Sequence, residues 1–128
     1  MAVQKLIDDL KNGSGIKRSR AAAELGHCGD LAAAAALIGA LEDTNATVRS
    51  NATFALGELG VREAVPQLVP MLKDDDEWVR KSAAKALGLL KAEEALPHLE
   101  AALDDPSDVV RSNVSRSLEQ IRGVISGS

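Results

Sequence analysis

The chain has 128 residues, 45% of them hydrophobic, with one Phe, one Trp, no Tyr and a net charge of −4. One ordinary domain is expected at this length, and the acidic balance argues against a phosphate backbone as partner. No stretch reaches the apolar length of a membrane span, and the single Cys28 cannot close an internal disulfide.

Apolar spacing predicts eight helices. The first, 2–11, places Leu6 and Leu10 on one face. It has no apolar signal core and carries acid early, which points to a cytoplasmic protein. The second, 16–27, stops before Gly29, a residue suited to the left-handed position after a helix. The third spans 30–42 with Leu37 and Leu41 inward. The fourth, 46–59, sets Val48, Ala52, Ala55, Leu56 and Leu59 on one face and ends at Gly60. The fifth, 62–73, does the same with Ala64, Val65, Leu68, Val69 and Leu72, and carries Pro66 in its first turn, where no N–H is needed. The sixth (77–90), seventh (93–104, with Pro97) and eighth (108–122) continue the alternation. Polar, acidic connectors at 11–15, 42–46, 73–77 and 104–108 supply N-caps and favourable charge at helix starts. Residues 1–125 are expected to form one domain, with 126–128 as a mobile tail.

The columns recur every 31 residues. Val48-Arg49-Ser50-Asn51-Ala52 returns as Val79-Arg80-Lys81-Ser82-Ala83 and as Val110-Arg111-Ser112-Asn113-Val114. Lys17-Arg18-Ser19-Arg20-Ala21 is the earlier copy. Stacked helix pairs of fixed period make a solenoid. The pattern Asp43, Val48, Arg49, Ala52, Ala55, Leu56, Gly57, Leu59, Gly60, Ala64, Val65, Pro66, Leu68, Leu72 resembles the HEAT-like repeat of phycobilisome lyases. The resemblance implies an all-α, right-handed α-solenoid of about four such helix pairs, with the second helix of each pair lining the concave face. It also implies a protein-binding scaffold or adaptor; the alternative is a bilin lyase-like or phycobilisome-associated chaperone subunit. Ala35, Lys91 and Glu119 depart from the pattern, standing where it has Pro, a terminal Gly and an inner Gly.

Arg18, Arg49, Arg80 and Arg111 fill one column, and Asp43, Asp74 and Asp105 precede the last three by six residues. Bidentate Arg–carboxylate pairing between stacked units makes these a structural ladder rather than an anion site. Gly26, Gly57 and Gly88 lie inside first helices and cost helix propensity. Close approach of first to second helix is the expected compensation. Ser115 and Ser117 replace Ala84 and Ala86, so the last helix reads as a polar C-terminal cap.

No catalytic constellation emerges, and neither a metal nor a cofactor is expected. Cys28 shares a column with Leu59, Leu90 and Ile121 and is expected to be buried and slow to react. His27 lies ~100° around the helix from it, and His98 sits on another helix without metal-ligand spacing. The N-x-S/T triplets at Asn45, Asn51 and Asn113 read as chance occurrences.

The second helices carry the functional signal. Their outward columns hold Ala36, Gln67 and His98, then Gly39, Pro70 and Ala101, then Ala40, Met71 and Ala102. Solubility alone would place charge there. Such a strip suits a partner helix or extended peptide, although the Ala40–Met71–Ala102 column could instead pack between neighbouring second helices. Lys5 set against Asp8 and Asp9 cannot neutralise phosphates, so nucleic acid is not the expected partner. Phe54 should project from the opposite side of an otherwise monomeric module and permit weak self-association. Trp78, at the start of a first helix, is expected to be half-buried.

Overall fold

A computed structural model describes residues 2–123; the tail expected at 126–128 lies outside them. The same device starts every first helix. Ser14, Asn45, Asp76 and Ser107 occupy one column in extended conformation, and each side chain accepts a backbone N–H of the following turn. These N-caps satisfy donors that would otherwise be orphaned. They open α2 (Gly15–His27), α4 (Ala46–Leu59), α6 (Glu77–Leu89) and α8 (Asp108–Arg122). After α2 and α4 the chain turns through Gly29 and Gly60 at φ 70° and 75°. Lys91 adopts φ 50° in the same column after α6.

The second helices are α1 (Ala2–Asn12), α3 (Ala34–Ala40), α5 (Val65–Leu68) and α7 (Leu96–Ala101). Of these only α1 is α-helical throughout. The segments expected as continuous helices at 30–42, 62–73 and 93–104 contain short α cores flanked by 3₁₀ turns, such as Arg62–Ala64 and Val69–Lys73 around α5. Proline accounts for the tightening after Leu68, but not for the Arg62–Ala64 turn, whose counterpart Leu31–Ala33 stands in a segment without proline. Pro70 has no N–H to reach the carbonyl four residues back, so the chain switches to the shorter i→i+3 pattern.

The result is an all-α solenoid with eight α-helices and no strand among the described residues. Leu25, Leu56 and Leu87 from first helices meet Leu37, Leu68 and Leu99 from second segments, all fully buried in one continuous core. No described helix is long and apolar enough to cross a membrane.

The inner glycines serve a contact other than the expected one. A Cβ on Gly57 would lie 2.7 and 2.8 Å from Cα and Cβ of Ala86, and one on Gly26 would lie 2.9 Å from both atoms of Ala55. Successive first helices therefore cross nearly backbone to backbone; it is this approach, rather than that to the second helix, which requires glycine. Glu119, in the same column of α8, is exposed because no described helix packs beyond it. The serine cap also divides. Ser115 is exposed, whereas Ser117 points back and its Oγ donates to the Ala84 carbonyl at 2.6 Å.

Candidate partner-binding surface

The connectors that cap the first helices are tied together by arginine. Arg18 donates to both carboxylate oxygens of Asp43 at 2.8 and 3.0 Å. Arg49 does so to Asp74 at 3.0 and 3.1 Å, and Arg80 to Asp105 at 2.9 and 3.2 Å. The remaining guanidinium nitrogen reaches back to a carbonyl of its own connector: Gly13 for Arg18, Asp43 for Arg49, Asp74 for Arg80 and Asp105 for Arg111. Arg80 thus meets Asp74 through its carbonyl only, and its carboxylate partner lies in the next repeat. Arg111 meets no later connector among the described residues and donates to Asp108 instead.

Each carboxylate also accepts a backbone N–H two residues on, from Asn45, Asp76 and Ser107. The electrostatics follow. The Arg18 hydrogen bond holds Asp43 below the usual carboxylate range. For Asp74 and Asp105, burial is the largest single influence and pushes upward. It is outweighed by the hydrogen bonds from Arg49 and Arg80, the backbone N–H groups and the nearby guanidinium charges, so both end lowered.

The second-helix residues separate into a rim and a floor. Gly39, Gln67, Pro70, His98 and Ala101 are exposed. Ala36, Met71 and Ala102 are half-buried and pack against the core. Ala40 is buried, which corrects its placement as an outward residue. Its column lies between neighbouring second segments, where a side chain meets the adjacent unit before it meets solvent.

Two grooves run between these segments. One, of about 550 Å³, lies between the α5 and α7 segments and is lined by Val69, Pro70, Leu72, Pro97, His98, Ala101 and Ala102, with Lys73, Asp104 and Asp105 at its end. The other, of about 640 Å³, lies between α1 and α3 and brings together Leu10, Ala35, Ala36, Gly39 and Ala40 beside Arg18 and Asp43. Gln67 and Met71 line neither.

Cys28 is exposed, contrary to its column. Helix α2 ends at His27, so Cys28 occupies the cap, and its thiol turns to the Leu25 carbonyl at 3.0 Å. His27 pairs with Glu58 at 3.3 Å. Among the described residues no group of three or more His, Cys, Asp or Glu is placed to hold a metal ion. Asn45 is an N-cap, and Asn51 and Asn113 donate to the Ser19 and Val109 carbonyls, so all three have packing roles. Phe54 is half-buried beneath Lys85, and Trp78 is 52% exposed beneath Lys81.

Sequence reasoning missed a second tie between repeats. Arg62 donates to the Leu90 and Lys91 carbonyls and to Glu94. Its column holds Leu31 and Glu93, so no repetition marks it.

Paired helices stacked through a glycine-mediated crossing and an Arg–Asp ladder define an α-solenoid of HEAT-like units. The chain belongs to the HEAT repeat family, whose model matches residues 3–60 and 34–119. It is similar to human deoxyhypusine hydroxylase, solved in complex with glycerol, at 33% identity over 94% of this chain and 43% of that one, with a TM-score of 0.78. It is also similar to the complex of CpcE and CpcF of phycocyanin lyase from Nostoc sp. PCC7120, at 26% identity over 96% of this chain and 66% of that one, with a TM-score of 0.70. It therefore spans less than two thirds of either. No curated protein sequence matches it significantly.

Proposed function

We propose that the chain is a protein-binding scaffold module that takes a partner helix or extended peptide on the face of its second helices. The observation that carries this reading is the exposed run of Gly39, Gln67, Pro70, His98 and Ala101 along the second segments, in which Pro70, His98 and Ala101 edge an apolar groove with Val69, Pro97 and Ala102, and Gly39 edges the groove between α1 and α3. Glycine and alanine let a partner backbone come close, and Gln67 and His98 offer hydrogen bonds that fix its register. Ala36, Ala40, Met71 and Ala102 form the floor. The module is a single domain over 1–125 and a monomer, with Phe54 able to support only weak self-contact. The unpaired Cys28 suits a reducing cytoplasm.

Affinity capture from the source cell supplies the partner, and titration of variants tests the face. Gly39→Glu and Ala101→Glu, both at exposed positions, are expected to weaken binding by about 3 kcal/mol, because each buries an unpaired charge. Arg20→Glu, at an exposed position of α2 that lines neither groove, is the control. Unchanged affinity in both glutamate variants would move the partner elsewhere.

A second reading is favoured by the likeness to the phycocyanin lyase complex: a subunit of a lyase-type enzyme. Adding a linear tetrapyrrole and following its absorption separates the two. A spectral shift upon addition supports the lyase-type reading; an unaltered spectrum supports the scaffold.

A further inference from the structure

The outer face of α6 and α8 has a different chemistry from the second-helix strip. Along α6 the outward residues are Trp78, Lys81, Lys85 and Leu89, spaced as one helical stripe. Across the helices, Phe54 of α4, Lys85 and Arg116 of α8 form one row. The ammonium of Lys85 stands 5.2 Å from the Phe54 ring centre, and that of Lys81 stands 5.7 Å from that of Trp78. Leu89 is 47% exposed.

The chain has 19 carboxylate residues against 15 Lys and Arg. Among the described residues Lys81, Lys85 and Arg116 form no ion pair, as is true also of Lys11, Lys17, Arg20, Lys73 and Lys91; what sets the three apart is that they share one face with the exposed Trp78 and Leu89. Glu58 on this side is engaged by His27, and Glu119 sits in the outermost column of α8. An aromatic ring covers one side of each ammonium and leaves other N–H donors open.

We propose that this face is a second docking surface, and that its occupant is an acidic segment of a partner protein in which carboxylates alternate with apolar side chains. The carboxylates would meet Lys81, Lys85 and Arg116, and the apolar groups would seat on Trp78 and Leu89. A nucleic acid fits less well. Asp75, Asp76 and Glu77 border the Trp78 end and would repel a phosphate chain running past it, whereas the peptide sets an uncharged apolar side chain against that end and keeps its carboxylates at Lys81, Lys85 and Arg116. The inference is independent of the second-helix reading.

The test uses a fluorescent synthetic peptide of about twelve residues, with glutamates interspersed by leucines, and its all-glutamine counterpart, titrated by anisotropy. The glutamate peptide is expected to bind at least about tenfold more tightly, with affinity falling as salt rises. Lys85→Glu should cost at least about tenfold and Lys85→Gln less, with circular dichroism confirming that both fold. Gly39→Glu, on the other face, should leave this binding unchanged. Equal affinity for the two peptides, or indifference to both Lys85 variants, would overturn the proposal. Tighter binding of an oligothymidylate or of vesicles containing phosphatidylserine would overturn it in favour of a polyanion.

Discussion

Lys91 holds a backbone conformation that its neighbours in the repeat give to glycine. At φ 50° a Cβ crowds the following carbonyl, which costs on the order of 1 kcal/mol. Its side chain is exposed and forms no ion pair among the described residues. The contact it does supply, a carbonyl that accepts from Arg62, survives any substitution. Lys91→Gly is therefore expected to stabilise the protein by roughly 1 kcal/mol, or about 4 °C in midpoint by thermal circular dichroism. An unchanged or lowered midpoint would mean that the flexibility glycine adds to the unfolded chain outweighs the relief. Lys91 was legible as a departure from the repeat, because a column fixes backbone conformation wherever the fold repeats. Cys28 was not legible, because its column average says nothing about a helix that stops before it. Asp30 follows where Val61 and Ala92 are buried, so nothing apolar covers the thiol.

Among the elements, the first helices were readable almost residue by residue. Their periodicity, caps and terminal glycines agree with one another, and such agreement is what makes a segment legible. The second segments were readable in extent but not in winding. Apolar spacing alone does not separate an α turn from a 3₁₀ turn when both bury the same leucines. The inner glycines mark a close contact, but spacing within one repeat does not show that the neighbour is the next first helix rather than the second helix of the same unit. A paired substitution tests the observed contact. Gly57→Ala must displace the Ala86 backbone and is expected to destabilise by roughly 2 kcal/mol despite better helix propensity. Gly39→Ala meets nothing within 4 Å, and should stabilise by up to about 1 kcal/mol. Urea unfolding measures both. If both variants raise stability, helix propensity rather than the crossing decides the outcome.

For the molecule as a whole, the ladder makes one edge of the solenoid sensitive to acid. Its rungs were legible as columns, but the pairing of each arginine with the next repeat's carboxylate needed the three-dimensional stack. Asp43, Asp74 and Asp105 all titrate below the usual carboxylate range in the folded protein. A carboxylate with a lowered folded pKa contributes stability that is complete above its unfolded value, about 3.9, and is lost as pH falls through the folded value. The acid branch of the stability curve should thus fall steeply below about pH 4, with three rungs acting together. Asn replaces Asp with nearly the same shape. In Asp74→Asn and Asp105→Asn the amide oxygen can still accept the Asp76 or Ser107 N–H, while the ion pair with Arg49 or Arg80 is lost. Each variant is expected to be less stable at pH 7 by about 1–3 kcal/mol, since one partner of a largely buried pair is left uncompensated. The gap to the unaltered protein should close as pH falls, because the native carboxylates then protonate and lose the same interaction. Urea midpoints at several pH values from neutral to strongly acidic measure that gap. A gap that stays constant across the acid range would mean that the carboxylates hold the connectors by shape and backbone hydrogen bonds, with the arginine charge contributing little.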